Sequence, residues 1–113
     1  MKATIRSAKP GNAIIYNLTV KVDTSIAAAW LAWIHADYIP TILATGLFDR
    51  VVVLHLLEVD ETEGPTYAVQ HFANDHSFYL DFRDKHEDKF TRKAREKWGD
   101  SFVSFTSLLQ VVN

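Results

Sequence analysis

Apolar and polar residues alternate along Ile14–Val22, with Ile15 as the one apolar exception, and the rest of the predicted fold is organised around this stretch. The even positions are apolar or aromatic, whereas Asn17, Thr19 and Lys21 fall between them. A period of two predicts a β-strand with one face on a core and a more polar opposite face. Asp23 follows as a predicted N-cap. This strand therefore decides which side of the sheet the helices cover.

The next segment has the period of an α-helix. Its apolar residues recur at i, i+4, i+7 and i+8, at Ile26, Trp30, Trp33 and Ile34. We expect Pro40 to break this helix, because the residue before a proline avoids the α region. A short helical turn should follow and end at Gly46, in the left-handed conformation that glycine adopts readily.

Two further strands are predicted to form an antiparallel hairpin. Residues 48–59 are apolar on both faces, which is typical of a strand covered on both sides. An acidic turn over residues 60–65 separates them from Thr66–Ala73, the returning strand.

A second helix is predicted from Asn74 or Asp75 to Gly99, followed by a last strand over residues 102–112. Residues 81–97 are densely charged, with pairs four residues apart such as Arg83–Glu87. The simplest interpretation of this charged run is a solvated helix face.

The predicted order is β-α-β-β-α-β, which is the ferredoxin-like α+β fold. It implies a four-stranded antiparallel sheet with both helices on one face and the first strand inside the sheet. We expect one domain over residues 14–113, preceded by a flexible lead-in over residues 1–13.

Two helices cover only one face of such a sheet. The hairpin is nevertheless apolar on both faces, so Ile15 and several of Phe72, Phe102 and Leu108 should point away from the helices. An exposed apolar sheet of this size predicts a partner, and the simplest one is a second copy packed face to face across a two-fold axis.

Composition excludes several kinds of function. The net charge is −2, the pI is about 6.2 and the chain has no cysteine. The charge gives no reason to expect nucleic acid or an anionic membrane as a partner. The lack of cysteine excludes disulfides, thiolate metal sites and a cysteine nucleophile. No signal peptide and no apolar run of about 18 residues stands out, so we expect a cytoplasmic protein.

Several short segments resemble one uncharacterised bacterial family, domain of unknown function 4286, within the dimeric α/β-barrel, ferredoxin-like superfamily. The matching segments are Ile14-Ile15-Tyr16-Asn17, Trp30–Trp33, Ile39-Pro40, Ala44-Thr45-Gly46-Leu47-Phe48, residues 56–61, residues 66–70 and Lys97-Trp98-Gly99. The resemblance implies a fold and a homodimer, but no established activity. A histidine commonly precedes Ile-Pro in that family, and Tyr38 stands there in this chain.

The same topology also resembles the RNA-recognition motif, through residues 15–18 and 67–72. That module needs aromatic residues on the open sheet face with basic residues beside them. Tyr16 belongs instead to the predicted helix-side set, and the hairpin turn is acidic. We therefore expect no nucleic-acid binding.

The five histidines do not form a zinc motif, and we expect neither a metal nor a cofactor. They are His35, His55, His71, His76 and His86. His55 and His71 lie within apolar strands, where a histidine either finds a buried partner or acts as an acid–base group beside a cavity. His55 is the only candidate catalytic residue, as a proton carrier.

The candidate ligand-binding residues are Asn17, Thr19 and Gln70, which are predicted to share the face of the sheet away from the helices. An amide and a hydroxyl in an apolar surface orient a small ligand, or form a polar network that fixes the register of a dimer. Ser104 and Thr106 on the last strand fit either interpretation.

Two classes of function follow from these observations. One is a small-molecule-binding or structural interaction module. The alternative is a cofactor-independent oxygenase or isomerase that acts on a small apolar substrate between the subunits, and fold analogy alone does not choose between them.

Overall fold

The computed structural model describes residues 13–113. Its strands and helices are β1 (Ile14–Val22), α1 (Ala27–Trp33), α2 (Ile39–Leu43), β2 (Arg50–His55), β3 (Thr66–Ala73), α3 (His76–Lys85), α4 (Glu87–Trp98) and β4 (Phe102–Gln110). A 3-10 turn, Thr24–Ile26, precedes α1, and a π-helical turn, Ile34–Tyr38, joins α1 to α2. The predicted lead-in lies outside the described residues apart from Ala13.

The four strands form one antiparallel sheet in the order β2-β3-β1-β4, with β1 and β3 inside. Tyr16 and Val20 of β1 are buried against Trp30, Phe82 and Phe90 from the helices. The helices therefore cover one face of the sheet. This confirms the ferredoxin-like α+β fold and the inner position of the first strand.

The strand register assigns every sheet residue to one of two faces. Tyr16 lies opposite His71 and Leu108, and these residues point toward the helices. Asn17 lies opposite Gln70, and they point to the other side. We call that other side the open face; it carries Ile15, Asn17, Thr19, Lys21, Arg50, Val52, Leu54, Thr66, Ala68, Gln70, Phe72, Val103, Phe105, Ser107 and Leu109.

The face predicted for two residues of β4 was wrong. Phe102 lies opposite Val22 and Leu108 opposite Tyr16, so both are on the helix side, and Phe72 alone of the three expected residues is on the open face. The apolar residues of β4 do not alternate regularly with polar ones, so its pattern does not specify which residues face the helices.

The helical region after β1 continues through Pro40 instead of breaking there. In the π-helical turn the Ile39 N–H donates to the Ile34 carbonyl, one residue further back than in an α-helix. The wider turn places Pro40 near the start of α2, where its missing N–H is tolerated. Ile34, Tyr38 and Ile42 are consequently all buried on the sheet.

Residues 24–43 form a helical run of 20 residues with a mean hydropathy of 1.2, which is long and apolar enough to cross a membrane by those criteria alone. The outer side of this run is rich in exposed alanine, at Ala28, Ala29, Ala32 and Ala36. Its large side chains pack on the sheet, which is the arrangement of a core helix.

Strand β2 ends at His55, four residues before the predicted boundary. Glu58 has a φ of 61°, and Leu56 and Leu57 are exposed although they are apolar. The chain therefore leaves the sheet early and enters the loop over residues 56–65.

Gly64 fixes this loop against the end of β1. It is buried at φ +138°, and a Cβ at this position would lie 1.8 Å from the Val22 carbonyl oxygen. The Val22 N–H donates to the Pro65 carbonyl at 3.0 Å, beside this contact. The loop needs glycine here for both space and conformation.

Helix caps follow the sequence in part. The Asp75 carboxylate accepts a hydrogen bond from the Ser77 N–H at 3.0 Å, as an N-cap does, and Gly46 has the expected positive φ of 77°. The Asp23 side chain makes no capping bond. The predicted second helix is divided at His86 into α3 and α4, and β4 ends at Gln110.

Candidate functional site

The predicted ligand-binding residues lie together at the centre of the open face. The Asn17 Nδ2 donates to the Thr19 hydroxyl at 3.0 Å, and the Gln70 Nε2 donates to the Asn17 Oδ1 at 3.3 Å. Asn17 is buried, and the other two side chains are half-buried. We call these three residues the amide cluster. Its side chains bond one another, and a role in ligand binding stays a prediction.

Apolar side chains surround the amide cluster on β2 and β4. Val103 and Phe105 are each 64% exposed, and Leu54 and Leu109 are 45% and 44% exposed. The open face thus combines a small polar centre with large apolar groups that the single chain leaves in water.

His55 does not join this group. It lies opposite Tyr67 on the helix side of the sheet, at the end of β2, so the sheet separates it from the amide cluster. Its Nε2 is 2.7 Å from a Glu61 oxygen, and its side chain is 44% exposed. A ligand over Asn17 has no contact with this imidazole.

Ser104 and Thr106 also lie on the helix side, because they are opposite Val20 and Leu18. Neither side chain therefore joins Asn17 on the open face. Ser107 is the β4 hydroxyl that lies opposite Asn17.

His71 is fully buried on the helix side, with both ring nitrogens bonded. Its Nδ1 is 2.7 Å from the Tyr16 carbonyl oxygen, and its Nε2 is 2.8 Å from the Tyr38 hydroxyl. A carbonyl only accepts, so Nδ1 carries the proton and the Tyr38 hydroxyl donates to Nε2. Tyr38 thus fixes the tautomer of a histidine on the sheet.

Burial sets the protonation of this pair. Desolvation lowers the pKa of His71 to about 4, against the opposing effect of the Tyr16 carbonyl. Burial also raises the pKa of the Tyr38 hydroxyl above its ordinary value, with a smaller contribution from Glu87. At neutral pH the pair is therefore an uncharged, bonded core unit.

The Tyr16 hydroxyl makes a further long-range polar contact in the core. It donates to the Glu87 Oε2 at 2.9 Å, between β1 and the first turn of α4. Burial, and then this bond, raise the pKa of Tyr16. Glu87 is half-buried, and Arg83 pairs with Asp84 at 2.9 Å instead of with Glu87 as expected.

A cavity of about 280 Å³ opens beside Glu87, between the helices and the β1–β4 half of the sheet. We call it the helix-side cavity. Its walls are largely aromatic, and its polar lining comes from both helices and strands. The lining includes Tyr16, Trp30, Glu87, Phe90, Ala94 and Arg95. Leu18 faces it as well, which explains why this residue is half-buried between the buried Tyr16 and Val20.

The sequence model of one protein family, described as Domain of unknown function (DUF4286), matches residues 13–112. The chain belongs to this family. A comparison with curated proteins finds no match. The match covers the whole sheet and all helices of this DUF4286 domain, and therefore both the amide cluster and the helix-side cavity.

Sequence reasoning missed the helix-side cavity of the DUF4286 domain. The charged run around Glu87 predicts a solvated side chain, yet Glu87 contacts Tyr16 across the core. A usable signal was present in β4, where the small polar residues Ser104 and Thr106 share a face with the buried Phe102. Because serine and threonine are shorter than the aromatic residues beside them, they leave unfilled space between the sheet and the helices.

Proposed function

We propose that this domain is a homodimeric interaction module in which two copies join through their open faces. One observation carries the proposal: Val103 and Phe105, in the first half of β4, are each 64% exposed on the side away from the helices. Contiguous apolar surface of this kind is typical of an interaction site.

The size of the open face suits a second copy. Strands of six to nine residues, at about 3.3 Å per residue and about 4.8 Å between strands, give about 500 Å² per copy. Two copies then bury about 1,000 Å², which is the lower limit for a specific interface.

The charges on the open face favour a copy of this chain over a charged partner. Lys21 already pairs with Glu63 at 3.2 Å, and the Arg50 guanidinium lies 4.1 Å from the centre of the Phe72 ring. These groups lie near opposite ends of the face, and its centre is uncharged. A self-complementary apolar face needs no opposite charge from its partner.

The amide cluster would set the register of such a dimer. Its side chains already form hydrogen bonds with one another, so burying them in an interface costs less. Their remaining donors and acceptors can pair with the second copy only when the two sheets are in particular registers. Polar residues within an apolar interface often have this role.

Light scattering coupled to size-exclusion chromatography tests the proposal. At micromolar concentration the wild type should have the mass of a dimer, and Phe105→Glu should have the mass of a monomer. Leu57→Glu is the matched control, because Leu57 is 70% exposed in a loop outside the sheet. A monomeric wild type, or dimers of Phe105→Glu, would contradict the proposal.

A small ligand held between the two sheets is the second candidate function. The amide cluster supports it, since a few hydrogen-bonding groups in apolar surroundings are what an orienting pocket contains. Crystals of the dimer soaked with small aromatic compounds would test it: density beside Asn17 supports a ligand site, whereas sheets packed solidly around Asn17 exclude one.

The enzyme alternative has less support than binding. It relied on His55 as the proton carrier, and His55 lies on the other side of the sheet from the amide cluster. The cytoplasmic location and the bacterial source stay predictions.

A further inference from the structure

We propose that the helix-side cavity binds a small organic amine, with its ammonium group next to Glu87 and its apolar body between the aromatic walls. The cavity and the amide cluster lie on opposite sides of the sheet, and Phe105 is the one open-face residue that also lines the cavity. The proposal therefore does not depend on the dimer.

The charge at the cavity comes from Glu87. Its Oε2 accepts a hydrogen bond from the Tyr16 hydroxyl, which is a neutral donor and leaves the negative charge uncompensated by that contact. A carboxylate that is half-buried beside apolar walls attracts a cation more strongly than one in open water. A ligand ammonium group can provide that charge and further hydrogen bonds.

The basic residue of the lining is already engaged elsewhere. The Arg95 Nη1 donates to the Gly99 carbonyl at 2.7 Å and is 3.7 Å from an Asp100 oxygen. Its guanidinium also lies 4.7 Å from the centre of the Phe102 ring. Arg95 thus serves the end of α4, and the cavity favours a cationic ligand over an anionic one.

The walls and the volume define the rest of the ligand. Trp30, Tyr16 and Phe90 present aromatic surface, which binds apolar groups and also attracts cations over the ring faces. A dry cavity of about 150 Å³ accepts benzene. A cavity of about 280 Å³ therefore has room for one ring and a short chain that ends in an amine.

Isothermal titration calorimetry with three probes of similar size tests the charge preference. The probes are 2-phenylethylamine, 2-phenylethanol and 3-phenylpropionate. The amine should bind about tenfold more tightly than either other probe, which is the usual difference for one charge-assisted hydrogen bond. Equal or tighter binding of the carboxylate, or no binding of the amine at millimolar concentration, would overturn the proposal.

Variants locate the binding. Glu87→Gln should lower the affinity for the amine about tenfold and leave that for the alcohol nearly unchanged. Glu96→Gln on the exposed side of α4 is the control and should change neither. Ala94→Phe fills the cavity and should abolish binding of all probes while circular dichroism shows a folded protein.

Two results with these variants would refute the assignment. One is full amine affinity in a folded Ala94→Phe variant, which would place the ligand elsewhere. The other is an equal loss of amine and alcohol binding in Glu87→Gln, which would mean that charge is not recognised. If Glu87→Gln does not fold, the probe series on the wild type and the Ala94→Phe variant decide the question.

Discussion

The buried His71 should make this domain lose stability in mild acid. Desolvation lowers the pKa of its imidazole from 6.5 to about 4 in the folded protein. Between these two pH values the unfolded chain binds a proton at this residue and the folded chain does not. The stabilisation that neutral His71 adds to the free energy of unfolding is therefore complete above about pH 6.5 and is lost as the pH falls toward 4.

The magnitude follows from the two pKa values. Their difference, at about 1.4 kcal/mol for each pH unit, gives about 3 kcal/mol of unfolding free energy lost by pH 4. That is a large part of the 5–15 kcal/mol that is typical of small domains, roughly a third. The neighbouring phenols of Tyr16 and Tyr38 do not titrate in this range, because their pKa values are raised.

Urea unfolding at several pH values between 4 and 7.5 measures this effect. His71→Gln keeps an amide donor for the Tyr16 carbonyl and an acceptor for the Tyr38 hydroxyl, but it cannot titrate. The wild type should lose about 3 kcal/mol more than this variant across the range. His76→Gln, at an exposed site, should behave like the wild type. Parallel pH profiles for the wild type and His71→Gln would refute the reasoning.

Further predictions concern the loop, the core and the two surfaces. Gly64→Ala should lower the unfolding free energy by more than about 3 kcal/mol, because the new Cβ would clash with the Val22 carbonyl oxygen. Gly46→Ala has open space around the new Cβ and should lower the unfolding free energy by only about 1 kcal/mol. Urea unfolding measures both values. Tyr38→Phe leaves the His71 Nε2 without its donor and should cost about 1–3 kcal/mol by thermal or urea unfolding; no change would mean that water replaces the hydroxyl. Phe105→Glu should give a monomer by light scattering, and Glu87→Gln should lose the preference for an amine by calorimetry.

The fold could be predicted because the strongest patterns were unambiguous. The alternation in β1 assigned Tyr16 and Asn17 to opposite faces correctly, and β3 has the predicted boundaries. Gly46 and Asp75 carried local chemistry that specifies a helix end and a helix start. Such signals depend on the residue and its immediate neighbours, so they survive folding.

The wrong predictions concern strand ends, sheet faces and a helix break for which the local sequence allows two conformations and tertiary contacts select one. Residues 51–57 are almost uniformly apolar, so the sequence could not show where β2 leaves the sheet or which face His55 takes. Pro40 breaks a regular α-helix but fits beside a π-helical turn.

The candidate site could be predicted only in part, for a related reason. Asn17, Thr19 and Gln70 were brought together by alternation on adjacent strands. The helix-side cavity depends on the distance between α4 and the β1–β4 half of the sheet, and no local pattern encodes such a distance. The sequence around Glu87 is the same as that of a solvated helix face, and only its hydrogen bond with Tyr16 in the folded chain distinguishes it from its charged neighbours.

The sheet order has a consequence for handling the protein. β4 is the last strand in the order β2-β3-β1-β4, so within residues 13–113 its outer edge has no neighbouring strand, and its side chains are uncharged. Exposed edges of this kind recruit strands from other molecules and start aggregation. A variant made monomeric on its open face keeps this edge, so concentrated samples of that variant should still aggregate through β4.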